Sequence, residues 1–152
     1  MGALLDKGVE SDATQRWISY WESSGIFKFD MNDTERPLFV IDTPPPFTNG
    51  KLHLGQAFWV CYIDAIAKYR RMAGYNVLYP VGWDTHGFAT ELAVEREYGS
   101  SLSRDEFYSK CLELSMSNIK AMKDTMRMLG ATFDNSFEYT TTGKDYMAKV
   151  QW

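Results

Sequence analysis

The sequence predicts an α/β fold in which two short parallel strands are joined by a long helix. Apolar runs rich in β-branched or aromatic residues occupy residues 38–41 and 75–79, and prolines follow each run closely. Between them, residues 54–73 contain no proline and repeat apolar side chains at spacings of three and four. A strand, a helix of this length and a second strand form a βαβ unit, in which the two strands run parallel as neighbours.

The segment before this unit is predicted to be helical and then irregular. A first helix begins at a cap formed by Ser11 or Asp12, carries an aromatic stripe and ends near Gly25. Residues 30–36 form a polar connector. The strand over residues 38–41 follows, and its shortness and apolar character predict that it is buried.

Further elements follow the second strand. Residues 89–98 are predicted as a helix, and a longer helix over residues 103–130 opens on a Ser-x-x-Glu capping box. Residues 137–141 are predicted as a short strand, and a last helix begins near residue 144.

Composition narrows the class of protein. The chain has 152 residues, of which 45% are hydrophobic and 24% charged, the balance of a folded domain. A net charge of -4 and a pI of about 5.2 argue against a surface that holds nucleic acid by charge alone. No apolar run reaches the roughly 20 residues that span a bilayer, and no secretory leader is evident, so we expect a cytoplasmic protein without a membrane partner. Two cysteines, Cys61 and Cys111, are too few to predict a metal site or a disulfide framework.

The strongest functional pattern lies between the first strand and the long helix, where residues 43–56 read TPPPFTNGKLHLGQ. Ligands of open α/β sheets bind past the carboxyl ends of the strands, and the free N–H groups of a helix start favour a phosphate. His53 adds an N–H donor, Lys51 a positive charge and Gln56 an amide, while Gly55 leaves room for a flat base or a ribose. A lone histidine at a helix start is more often a cap, but the order and spacing of these residues together predict an anion site.

A second cluster directly follows the second strand, where residues 80–87 read PVGWDTHG. The Asp84 carboxylate suits a cationic amine, and Trp83 offers an apolar wall. In the alternative interpretation, Asp84 or Thr85 caps the next helix and Trp83 belongs to the core. Because the carboxyl ends of parallel strands meet at one edge of a sheet, both clusters are expected to lie together.

These residues resemble the first signature of the class I aminoacyl-tRNA synthetases, the HIGH motif. The resemblance extends over the entire chain and includes the triple proline, the His-Leu-Gly-Gln tetrapeptide and the Gly-Trp-Asp turn. It is nearest to the subgroup that activates valine, isoleucine and leucine. Residues 41–46, 50–53 and 103–107 resemble valyl enzymes of the archaeal type, whereas Phe47, Asn49 and residues 82–87 resemble isoleucyl enzymes. Valine is therefore the first substrate to expect and isoleucine the second.

The resemblance implies a helical extension over residues 1–36. Over residues 37–152 it implies the first half of a Rossmann-like, parallel-sheet, nucleotide-binding catalytic domain, truncated before the editing insertion. The implied reaction activates a branched aliphatic amino acid with ATP, accompanied by Mg²⁺, and transfers it to tRNA. The lysine-bearing KMSKS loop and most of the tRNA-binding regions are absent, so the isolated chain is expected to be inactive.

The resemblance also implies roles for individual residues. His53 and Gln56 are the catalytic candidates, as donors to the ATP phosphates. The implied ATP-binding set comprises Gly50, Lys51, His53, Gly55 and Gln56. The implied amino-acid-binding set comprises Pro44, Pro45, Pro46, Asn49, Trp83 and Asp84. Gln56 departs from the histidine of the family motif, since an amide donates to phosphate but carries no charge.

Two alternatives remain. One is a non-catalytic paralogue that binds an adenylate but has lost the chemistry. The other is a small nucleotidylyltransferase, which shares a His-x-Gly-His-like helix start but lacks the triple proline and the Trp-Asp turn found here.

Overall fold

A computed structural model describes residues 11–99 and 101–152 of the chain. Its elements, in order, are α1 (Ser11–Ser24), β1 (Leu38–Val40), α2 (Leu54–Met72), β2 (Asn76–Leu78), β3 (Gly82–Trp83), α3 (Phe88–Tyr98), α4 (Arg104–Met128), a 3-10 turn (Asn135–Phe137), β4 (Tyr139–Thr140) and α5 (Lys144–Gln151). Residues 1–10 and the side chains of Ser11 and Asp12, the predicted caps of α1, lie outside the described residues. No helix within 11–99 and 101–152 is long and apolar enough to cross a membrane.

The strands β1 and β2 form the predicted βαβ unit. They pair in parallel, with Phe39 opposite Val77, and α2 is the crossover between them. The Ile41 N–H donates to the Leu78 carbonyl oxygen at 2.9 Å, which extends the pairing beyond β1. The predicted parallel α/β arrangement is therefore confirmed.

The predicted burial of β1 is wrong. Leu38 and Val40 are 60% and 51% exposed, whereas Val77 in β2 is buried. Phe39 points to the opposite face, because side chains alternate along a strand, and its ring packs edge-on against Tyr75. Within the described residues β1 is an edge strand, and only one of its faces is covered.

The apolar stripe of α2 also differs from a simple amphipathic helix. Phe58 and Tyr62, which follow the predicted helical spacing, are 73% and 65% exposed. The buried residues of α2 are instead Val60, Asp64 and Ala67, on another face. The periodicity predicted the helix correctly, but the face that packs against the described core is not the face that carries Phe58 and Tyr62.

A second parallel pair joins β3 to β4, with Gly82 opposite Tyr139 and Trp83 opposite Thr140. The sequence pattern places residues 82–83 in a turn after the second strand, and the structure makes them a strand. Glycine suits position 82, because a Cβ there would lie 2.2 Å from the Tyr139 ring and the ring would have to move. The absence of a side chain lets the aromatic ring of β4 cross directly over β3.

The core contains two apolar clusters that share Phe133 as a neighbour. One is formed by α2, α4 and β3 and the segment before it, with the buried residues Val60, Val81, Trp83, Ile119, Met122 and Met126. The other lies under the β1–β2 pair, with Ile41, Ala67, Val77 and Tyr79. These clusters hold the carboxyl ends of β1 and β3 beside the start of α2.

A buried polar network fixes α2 to the segment after α4. Asp64 Oδ1 accepts from the backbone N–H and the hydroxyl of Thr132, at 2.7 and 2.6 Å, and Asp64 Oδ2 lies 2.6 Å from Lys68 Nζ. Arg71 donates to the Thr132 hydroxyl and carbonyl oxygens. Because a buried carboxylate is costly unless it is paired and hydrogen-bonded, this network specifies how α2 sits on the core.

Candidate functional site

The start of α2 is closed by a reciprocal cap between His53 and Gln56. His53 has an extended backbone, and its Nδ1 accepts from the Gln56 backbone N–H at 3.3 Å. The Gln56 side chain returns the bond, since its Oε1 accepts from the His53 backbone N–H at 3.1 Å. A histidine cap is the commonplace interpretation of this residue, and the structure shows that His53 does cap the helix.

The cap leaves hydrogen-bond donors on both side chains. When Nδ1 of a neutral imidazole accepts, the hydrogen-bond pattern assigns the ring proton to Nε2. Gln56 uses its carbonyl oxygen in the cap and keeps both N–H groups of its amide. Within the described part of the chain, neither Nε2 atom has a hydrogen-bond partner. The two candidate catalytic residues therefore combine a structural role with free donors.

The surroundings of the helix start favour an anion. The first turn of α2 contains no acidic residue, unlike that of α4, which contains Asp105 and Glu106. The positive end of the α2 dipole and its unpaired backbone N–H groups are thus not neutralised locally. Lys51 is exposed and forms no ion pair among residues 11–99 and 101–152.

The two predicted glycines in this segment have different surroundings. A Cβ at Gly55 would lie 3.1 Å from Cε1 and 3.2 Å from Nδ1 of His53, so the missing side chain makes room for the imidazole ring. The sequence predicts that the same space admits a base or a ribose. A Cβ at Gly50 would meet nothing within 4 Å. Gly50 therefore borders open space, and Gly55 determines where the His53 ring can lie.

A parallel bridge between Phe47 and Asp84 brings the two predicted clusters together. The Asp84 N–H donates to the Pro46 carbonyl oxygen at 2.9 Å, and the Thr48 N–H donates to the Asp84 carbonyl oxygen at 3.1 Å. The Asn118 side chain donates to the Thr48 carbonyl oxygen at 2.8 Å and ties α4 to the same loop. The expected juxtaposition of residues 43–56 and 80–87 at one edge of the sheet is present.

Only one oxygen of the Asp84 carboxylate is hydrogen-bonded to the described residues. Its Oδ1 accepts from the His86 backbone N–H at 3.2 Å and from the Thr141 hydroxyl at 3.3 Å. Its Oδ2 has no hydrogen-bond partner among the described residues. One oxygen is therefore held by the fold, and the other is available to a cation or a hydrogen-bond donor.

Trp83 lies in the core, which corrects the prediction that its ring forms an apolar wall of the site. It is fully buried, and its Nε1–H donates to Glu138 Oε1 at 2.6 Å. The physical reason is the β3–β4 pairing, which turns the indole inward. The other half of the alternative interpretation is wrong, because the N-cap of α3 is Gly87, without a side-chain cap bond.

The remaining predicted residues lie on the loop between β1 and α2. Pro44 and Asn49 are exposed, and Pro45 and Pro46 are half-buried. The proline loop thus lies beside the Asp84 bridge, with only part of its apolar surface covered by the described residues.

Several polar neighbours of Asp84 lie outside the predicted set. His86 and Thr141 bond to it directly, and the Tyr139 ring lies across Gly82. Burial, together with Tyr146 and the nearby carboxylates, raises the pKa of Tyr139, so its phenol stays protonated. His86 belongs to the same sequence cluster as Asp84, but Thr141 is brought there only by the β3–β4 pairing.

No group of three or more His, Cys, Asp or Glu side chains in the described ranges is arranged to hold a metal ion. The donors at the site are an imidazole, an amide, an ammonium group and backbone N–H groups, all of which suit an anionic ligand.

Known proteins are similar to this chain in sequence and in fold. The family model for tRNA synthetases class I (I, L, M and V) matches residues 16–152. The chain is 42% identical over 143 residues to the valine–tRNA ligase of Archaeoglobus fulgidus, and the alignment covers 92% of this chain and 16% of that ligase. It is 45% identical over 134 residues to the valine–tRNA ligase of Methanocaldococcus jannaschii, covering 86% of this chain and 15% of that ligase.

A solved structure gives the same result for the fold. The agnB2 LeuRS of Agrobacterium radiobacter K84, in a ternary complex with tRNA and LeuAMS, matches this chain with a TM-score of 0.74 and 27% sequence identity. The match covers 88% of this chain and 16% of that one. The chain thus spans about a sixth of the length of the relatives it matches. With a family match over residues 16–152 and identities above 40% to valine–tRNA ligases, this chain belongs to the class I tRNA synthetases of the isoleucine, leucine, methionine and valine group.

Proposed function

We propose that this chain is the N-terminal part of the catalytic domain of a valine–tRNA ligase, with isoleucine as the second candidate substrate. The observation that carries the proposal is the start of α2. There the His53 and Gln56 side chains cap the helix and still offer N–H donors, and the first turn contains no acidic residue. Residues 1–36 would form a helical extension and residues 37–152 the catalytic part. The proposed place of action is the cytoplasm.

The proposed reaction needs no protein nucleophile. The carboxylate of the amino acid attacks the α-phosphorus of ATP, an aminoacyl-adenylate forms, and pyrophosphate leaves with the electron pair of the broken P–O bond. The protein therefore contributes positioning and stabilisation of charge on the phosphate oxygens. His53 Nε2–H, the Gln56 amide and the N–H groups of the first α2 turn would supply that stabilisation, with Lys51 adding positive charge.

The amino acid would lie between the proline loop and Asp84. The free Oδ2 of Asp84 would accept from the substrate ammonium, while Oδ1 remains bound to the fold. Pro44, Pro45, Pro46 and Asn49 would border the aliphatic side chain. Trp83 supports this wall from the core without touching the substrate.

Magnesium would accompany ATP in this proposal. The described residues contain no cage of carboxylates or imidazoles for it. Such an ion is commonly held by phosphate oxygens and water, so the absence of a protein cage is compatible with its presence. tRNA would bind mostly through regions outside this chain.

A second candidate function is a paralogue that binds an adenylate without making one. Gln56 favours it, because an amide in the last position of the motif cannot carry the positive charge of a protonated histidine. The third candidate, a small nucleotidylyltransferase, has no support from the family match over residues 16–152.

ATP–pyrophosphate exchange by the full-length protein, with valine, isoleucine and leucine in turn, tests the proposal. We expect exchange with valine to be fastest. Thermal-shift binding of valyl-, isoleucyl- and leucyl-sulfamoyl adenosine, run in parallel, separates the candidates. Tight binding of the valyl analogue without exchange would support the paralogue, and neither binding nor exchange would overturn both. For the 152-residue chain alone we expect weak analogue binding and little or no exchange.

A further inference from the structure

Thr141 lies at the centre of a polar network beside the candidate site. It is 6% exposed and directly follows β4, where its backbone N–H donates to the Trp83 carbonyl oxygen at 3.0 Å. Its hydroxyl oxygen lies 3.0 Å from both the backbone nitrogen and the hydroxyl oxygen of Thr85, 2.9 Å from His86 Nδ1 and 3.3 Å from Asp84 Oδ1. One buried hydroxyl therefore meets the backbone, an imidazole and a carboxylate.

A hydroxyl has one proton and two acceptor sites, which constrains how these bonds are shared. The Thr85 backbone N–H occupies one acceptor site, because it can only donate. An ionised carboxylate can only accept, so the bond to Asp84 uses the single proton of Thr141. The remaining acceptor site then faces His86 Nδ1 and the Thr85 hydroxyl.

This arrangement determines the orientation of Asp84. Thr141 and the His86 backbone N–H both donate to Oδ1, which leaves Oδ2 as the oxygen without a partner among the described residues. Without the Thr141 hydroxyl, the carboxylate would keep a single hydrogen bond among the described residues, 3.2 Å long, from the His86 backbone N–H. Its rotation would then be limited much less by the fold.

We propose that Thr141 is a positioning residue that orients the Asp84 carboxylate toward the amino-acid substrate and holds the His86 ring beside it. This inference rests on the proposed function, in which Asp84 Oδ2 accepts from the substrate ammonium. Thr141 itself does not touch the substrate. The effect therefore concerns binding of the amino acid and not of ATP.

The test compares Thr141→Val with Thr141→Ser in the full-length protein. Valine keeps the size and branching of threonine, which preserves the packing after β4, but removes the hydroxyl. We expect Thr141→Val to raise the KM for valine in ATP–pyrophosphate exchange about tenfold, as for one lost hydrogen bond to a charged group, with the KM for ATP unchanged. Thr141→Ser keeps the hydroxyl and should restore the KM for valine to within about twofold of wild type.

Thr140→Val is the matched control. Thr140 is the preceding residue, in β4, and its side chain lies on the opposite face because side chains alternate along a strand. We expect this variant to leave both KM values unchanged. Equal rises of both KM values in Thr141→Val, or no rescue by serine, would overturn the inference.

A second measurement separates failure of this inference from failure of the proposed function. In protein labelled with ¹⁵N at histidine, His86 Nδ1 should show a hydrogen-bonded shift in the wild type and in Thr141→Ser, and lose it in Thr141→Val. If the wild type shows no exchange with any amino acid, the proposed function fails. The role toward an amino acid then fails with it, and a lost His86 signal in Thr141→Val would support only the hydrogen bond between Thr141 and His86.

Discussion

His53 and Gln56 each satisfy the main chain of the other at the start of α2, through bonds of 3.3 and 3.1 Å. The side chain of Gln56 is suited to this task, because its carbonyl oxygen accepts while its amide keeps two N–H groups for a ligand. A histidine at position 56 that used one ring nitrogen as the acceptor of the cap would keep only one N–H donor for a ligand. The departure from the family motif at Gln56 thus preserves both the helix cap and the donors.

Replacement of His53 should separate capping from catalysis. His53→Ala removes both and should lower the free energy of unfolding by about 1 kcal/mol, the usual loss for a helix cap. His53→Ser restores an accepting cap but lacks the distal N–H donor. We expect urea denaturation to show near-wild-type stability for the serine variant, while ATP–pyrophosphate exchange falls about 100-fold or more in both. Full exchange by His53→Ser would contradict a donor role for the imidazole.

Gln56→Glu should change stability and activity in opposite directions. Glutamate is favoured at this position of a capping box and near the positive end of the helix dipole, so the melting temperature should be maintained or raised. The same negative charge repels the ATP phosphates, and we expect the KM for ATP to rise about tenfold or more. Gln56→His, which restores the family residue and adds no negative charge, is the comparison variant. A glutamate variant with an unchanged KM for ATP would argue that phosphates bind elsewhere.

Gly82→Ala should disrupt the crossing of β3 and β4. The new Cβ would lie 2.2 Å from the Tyr139 ring, closer than packed atoms can approach. We expect the free energy of unfolding to fall by about 1–3 kcal/mol, measured by urea denaturation, because the ring or the strand must shift. Gly50→Ala is the matched control, since nothing lies within 4 Å of its Cβ and stability should stay the same. Equal stability of the two variants would show that Tyr139 does not lie across β3.

Asp64→Ala tests the buried network beneath α2. The substitution leaves the Thr132 N–H and the Lys68 ammonium without their carboxylate. Removal of one partner of a buried ion pair typically costs about 3–5 kcal/mol, and the partial exposure of Lys68 should place the loss at the lower end. The measurement is the free energy of unfolding, with Asp124→Ala on the exposed face of α4 as the comparison. A loss below about 1 kcal/mol would show that water replaces the carboxylate readily.

The sequence was sufficient for the features that depend on near neighbours. The capping box at Ser103 joins residues three positions apart, and the crossover helix follows from a continuous run without proline. The reciprocal cap between His53 and Gln56 was not predicted. The parallel β1–β2 pair also followed, because a strand, helix and strand of these lengths have one favoured arrangement. The position of the crossover helix start, with His53 and Gln56 in its first turn, was therefore predicted from the sequence alone.

The remaining features of the fold and the site depend on contacts between residues far apart in the sequence. Thr141 reaches Asp84 across 57 positions, and the inward turn of Trp83 depends on β4 and Glu138, 55 positions away. Likewise, the apolar face of α2 that is buried contains Val60 and not Phe58, because burial depends on which neighbours pack against a helix. Hydrophobic periodicity measures only which side chains share a face. Contacts between distant segments decide which face becomes core, and no local pattern encodes them.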